Sequence, residues 1–70
     1  MDKSLLEKLA KRIKELRKMN GFTQDELAFR ANIERSTLGN IETAQNDVTL
    51  TKLNQIAKAF DLTLSEFFKF

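Results

Sequence analysis

The chain contains no cysteine, no histidine and no proline, and only two glycines, Gly21 and Gly39. Each absence excludes chemistry. Without cysteine or histidine there is no thiolate nucleophile, no imidazole base, no Cys/His zinc site and no disulfide framework. No cofactor or metal is expected, and no enzymatic activity. No apolar run approaches the roughly 20 residues of a membrane-spanning helix, and Met1-Asp2-Lys3-Ser4 lacks the apolar stretch of a signal peptide. A cytoplasmic protein with no membrane partner and no small-molecule ligand is the expectation. The 70 residues are expected to form one domain over 1–70. A domain of this size buries only about 60% of its unfolded surface, which argues against a spacious internal active site.

What is present is charge, unevenly placed. Residues 1–18 hold seven basic residues (Lys3, Lys8, Lys11, Arg12, Lys14, Arg17, Lys18) against three acidic ones, net +4, whereas residues 19–70 carry net −2. A basic flank attracts phosphate backbones; it is also what a solvated helix face looks like.

The scarcity of glycine and proline predicts a mostly helical chain. Ser4-Leu5-Leu6-Glu7, Thr23-Gln24-Asp25-Glu26 and Thr63-Leu64-Ser65-Glu66 each fit the capping box, in which a hydroxyl and a carboxylate satisfy each other's orphan backbone N–H groups. Phe22 and Leu27 occupy hydrophobic-staple positions around the second box, and Thr49 is a further N-cap. Apolar spacing then predicts helices at about 4–19, 24–31, 35–43, 50–60 and 64–69. The fold class is all-α, a compact array of five helices.

Residues 23–43 carry the functional signal. Two short helices are joined by Asn32-Ile33-Glu34, with small Ala28 and Ala31 allowing close approach and Ile33, Leu38 and Ile41 anchoring the second helix. This is the spacing of a helix-turn-helix, whose second helix enters the DNA major groove. Thr23-Gln24-Asp25-Glu26-Leu27-Ala28, then Asn32 to Glu42, then Thr49 to Phe60, resemble the Cro/repressor-type (XRE-like) helix-turn-helix family. The resemblance spans roughly residues 9–68, and the short single-domain form is most similar to restriction–modification controller proteins. Asn32 and Asp61 stand where the family often has glycine, and both residue types tolerate the left-handed conformation. Gly39 stands where serine is more common.

The resemblance implies a sequence-specific, double-stranded DNA-binding transcriptional regulator that binds a palindromic operator as a homodimer. The alternative is a helix-turn-helix protein-interaction module or antitoxin component. Arg35, Ser36, Thr37 and Asn40 would face the bases, since Leu38 and Ile41 point inward at helical spacing. Arginine pairs with guanine and asparagine with adenine. Arg35 serves equally as a phosphate ligand. The implied phosphate contacts are Gln24, Arg30, Gln45, Asn46, Thr49 and Lys52. Arg17 and Glu42 match the family's structural ion pair. Glu34 either caps the third helix or meets cytosine N4. Leu62, Leu64, Phe67, Phe68 and Phe70 make an apolar tail, with one phenylalanine expected inward and the rest across a dimer axis. Residues 63–70 thus form the expected dimerisation helix. Phe29 is expected to be partly exposed.

Overall fold

The computed structural model describes residues 2–70, and among them every regular element is a helix. Helix α1 runs Lys3–Met19, α2 Gln24–Ala31, α3 Arg35–Glu42, α4 Leu50–Ala59 and α5 Leu64–Phe67. The five-helix array expected from the spacing is the one observed, with shorter ends on α3, α4 and α5.

Local chemistry sets most boundaries. Thr23 Oγ1 accepts from the Glu26 N–H at 3.0 Å and Thr49 Oγ1 from the Lys52 N–H at 3.1 Å, closing the starts of α2 and α4. At α5 the box is reciprocal: Thr63 Oγ1 accepts from the Glu66 N–H and Glu66 Oε1 from the Thr63 N–H. That backbone hydrogen bond holds the Glu66 carboxyl below its ordinary value. The box at Ser4 does not form. Asp2 caps α1 instead, accepting from the Ser4 N–H at 2.7 Å, and the helix begins before the serine. The box at Thr23 is half made, because Glu26 turns to Arg30 at 3.1 Å.

Helix ends use the left-handed region. Gly21, Asn32 and Asp61 have φ of 69°, 57° and 58°, as the turn residues predict. Ala44 also lies there, at φ 56°, with no sequence signal to announce it.

Leu9, Ile13, Leu27, Leu38, Ile56 and Phe67 fill the centre. Helix α2 packs on α4, both α1 and α2 pack on α3, and α5 packs on α4. Two polar ties lock the frame. Arg12 donates from Nε to the Phe67 carbonyl at 2.9 Å and from Nη2 to the Glu66 carbonyl at 3.0 Å, joining α1 to α5. Gln55 Nε2 donates to the Ala31 carbonyl at 3.3 Å, holding α4 against the end of α2.

Candidate nucleic-acid interface

Helix α3 divides cleanly by face. Leu38 and Ile41 are buried, whereas Arg35, Ser36 and Asn40 are exposed and Thr37 is half-buried. The side chains turned outward can donate and accept hydrogen bonds at base edges. Gly39 sits between them, and nothing lies within 4 Å of where its Cβ would stand. Glu34 occupies the N-cap position without a side-chain cap, which removes one of the two roles considered for it.

Neighbouring helix starts bracket this face. Thr37 and Asn40 share a shallow cleft of about 200 Å³ with Asn46, Thr49 and Lys52, so the N-terminus of α4 lies alongside α3. Gln45 and Asn46 are exposed in the connecting loop. Gln24, the first residue of α2, reaches the last residue of α3, its Nε2 donating to Glu42 Oε1 at 2.9 Å. Helix N-termini present free N–H groups and a positive dipole end, both suited to phosphate.

Glu42 is the buried centre of the arrangement, 3% exposed. Arg17 grips it with two hydrogen bonds, Nε to Oε2 at 2.9 Å and Nη2 to Oε1 at 3.2 Å, and spends Nη1 on the Phe22 carbonyl at 3.1 Å. A carboxylate only accepts, so Gln24 must turn its amide nitrogen toward Glu42. One Nε2 hydrogen and the carbonyl oxygen of Gln24 are left for other partners. Spacing did not foretell this bond between two candidate residues.

Two candidate cations are engaged inside the protein. Arg35 Nε lies 3.2 Å from Asp25 Oδ1, an exposed pair that water screens. Arg30 pairs with Glu26 and sets its guanidinium 4.5 Å above the Phe22 ring, itself stacked on Phe60 at 6.1 Å. Asp25 and Arg30 are about 140° apart around α2, so Arg30 faces away from α3. Geometry thus separates Arg30 from the other phosphate candidates.

The apolar tail divides as well. Phe67 is 0% exposed and belongs to the core, which corrects its expected place at a dimer contact. A ring with no exposed surface, packed in the core and edge-on against Phe68 at 5.5 Å, cannot also face a partner. Leu62 and Leu64 are half-buried against the same core. Phe68 and Phe70 remain exposed, their rings 6.2 Å apart edge to face. Phe29 is 86% exposed, well beyond the partial exposure expected. No described helix is long and apolar enough to cross a membrane.

A helix-turn-helix family model matches residues 13–67, most of the chain. Antitoxin HipB of Escherichia coli strain K12 is 35% identical over 57 residues, covering 81% of this chain and 65% of HipB. The chain therefore spans just under two thirds of the length of that relative. Among solved structures, the restriction–modification controller protein C.AhdI from Aeromonas hydrophila superposes with a TM-score of 0.87 at 35% identity, covering 93% of this chain and 98% of C.AhdI. The controller C.Esp1396I, solved as a tetramer in complex with its natural 35 base-pair operator, gives 0.86 at 32% identity, covering 93% of this chain and 86% of that one.

Proposed function

This chain belongs to the helix-turn-helix family; from that premise we propose that it is a DNA-binding transcription regulator related to restriction–modification controller proteins and acts as a homodimer on a palindromic operator. The observation that carries the proposal is the division of α3, with Leu38 and Ile41 sunk in the core and Arg35, Ser36, Thr37 and Asn40 left on the outer side. In this reading residues 23–43 are the helix-turn-helix of a single domain. Asn40 and Thr37 read bases, and Arg35 leaves Asp25 to reach guanine or a phosphate. Gln24, Gln45, Asn46, Thr49 and Lys52 grip the backbone on either side, fixing register without reading sequence.

Dimerisation is supported by the exposed Phe68 and Phe70 beside half-buried Leu62 and Leu64. One recognition helix covers too few base pairs for selectivity, and a two-fold pair doubles the readout. Half-sites about 34 Å apart follow, one helical turn of DNA. A role as controller of a restriction–modification system is supported by the likeness to C.AhdI over nearly its whole length.

Selection of bound sequences from a random duplex pool at about 0.15 M salt, where non-specific binding is weak, tests the proposal. A two-fold-symmetric enriched site is expected. A folded, dimeric protein that enriches nothing sinks it.

A second reading is supported by the likeness to Antitoxin HipB: a helix-turn-helix protein-interaction module that grips a protein partner as an antitoxin component. Thr37→Ala with Asn40→Ala separates the functions, abolishing operator selectivity while leaving any grip on a protein partner intact.

A further inference from the structure

The lysines of α1 have no part in the interface described so far. Lys3, Glu7, Lys14 and Lys18 fall on one stripe of the helix, within about 60° of arc at 3.6 residues per turn. All four are exposed, and none of the three lysines makes a salt bridge to a described residue. The stripe borders the loop that follows the recognition helix. Lys3 shares a cleft with Thr43, Ala44, Gln45 and Asp47, and Lys14 shares the adjoining one with Glu42 and Thr43. Between Lys14 and Lys18, Arg17 reaches Glu42 at 2.9 Å and the Phe22 carbonyl at 3.1 Å. The stripe thus runs from the α3–α4 loop to the turn that positions Gln24, and Arg17 already compensates the Glu42 charge beside it.

We propose that Lys3, Lys14 and Lys18 form a second phosphate-binding strip, continuous with the α3–α4 loop, that grips the duplex-DNA backbone beside the half-site read by α3. The proposal rests on the DNA-binding reading above. Lysine suits the task, because a flexible point charge tracks phosphates without selecting sequence. Lys3 and Lys18 lie about 22 Å apart along the helix, a span that faces many backbone charges on a duplex carrying one per roughly 1.7 Å. Glu7 lies within the strip as an opposing charge, and Asp47 borders its Lys3 end.

The test is a salt series on operator and random duplexes, followed by fluorescence anisotropy, with wild type, Lys14→Gln/Lys18→Gln and Glu7→Gln. Each phosphate contact contributes about 0.9 to the slope of log K against log salt, so the double variant is expected to lose about 1.8 of that slope. Its affinity for both duplexes should fall by the same factor, leaving their ratio unchanged. Glu7→Gln should bind both duplexes more tightly, a gain that no folding defect produces. An unchanged slope in a double variant of wild-type helicity and melting temperature overturns the strip, as does a loss confined to the operator. Loss of binding to polyglutamate at unchanged duplex slope assigns the stripe to an acidic protein partner and also overturns it. Wild type that binds no duplex defeats the DNA-binding reading itself, whereas wild type that binds beside unaltered variants defeats the strip alone.

Discussion

At the scale of single residues, the decisive feature is a carboxylate taken out of water. Glu42 is tolerated in the core because Arg17 meets both its oxygens and Gln24 adds a third hydrogen bond. Removing one partner of such a pair leaves an uncompensated buried charge, at a cost of about 3–5 kcal/mol. A chain of this length has about 3.5–10 kcal/mol of stability in total. Arg17→Met is therefore expected to lose a large share of it, read as a lower urea midpoint at unchanged slope. The family resemblance pointed to Arg17 and Glu42, but not to Gln24 as their third member, since sequence spacing says nothing about contacts between separate helices. Ala44 was illegible for a different reason. Alanine carries no signal for the left-handed conformation that it adopts at φ 56°. Ala44→Gly is expected to raise stability by about 0.5–1 kcal/mol, because glycine takes that conformation without a Cβ clash while retaining some entropic cost; denaturant titration checks it.

At the scale of elements, starts were easier to read than contacts. Thr23, Thr49 and Thr63 cap α2, α4 and α5 through bonds only three residues long, and such short-range chemistry is visible in a linear sequence. Ser4 misled because Asp2 is an equally good cap two residues earlier, and a longer α1 satisfies more backbone groups. The faces of α3 followed from helical periodicity, which is why the base-facing candidates could be named. The ties of Arg35 to Asp25 on α2 and of Arg30 to Phe22 in the turn before α2 could not, because neither pair lies within one helix. Gly39 offers a test at this scale. Nothing stands within 4 Å of its missing Cβ, so Gly39→Ala should stabilise the free protein by up to about 1 kcal/mol through helix propensity. If α3 lies close against the bases, the added methyl should weaken operator binding at the same time. Thermal melting and operator titration of one variant read both effects.

At the scale of the molecule, the question is what the apolar end of the chain covers. Phe67 closes the core, while Phe68 at 39% and Phe70 at 53% exposure leave aromatic surface in water. A hydrophobic tail could be read from the sequence; which ring turned inward was fixed only when α5 docked on α4. Phe68→Glu with Phe70→Glu is expected to leave the fold intact and shift sedimentation equilibrium from dimer toward monomer. Phe67→Ala, by contrast, should destabilise by about 3–5 kcal/mol as a core truncation. Operator affinity should fall in the Phe68/Phe70 variant, since two recognition helices no longer act together.

The proposed function depends on the outer side of α3 reading DNA sequence through Thr37 and Asn40. It is tested most directly by running the random-pool selection side by side on wild type and Thr37→Ala/Asn40→Ala. Wild type is expected to yield a two-fold-symmetric motif, and the variant a motif relaxed at matching positions in both half-sites. An identical motif from the two proteins would contradict it.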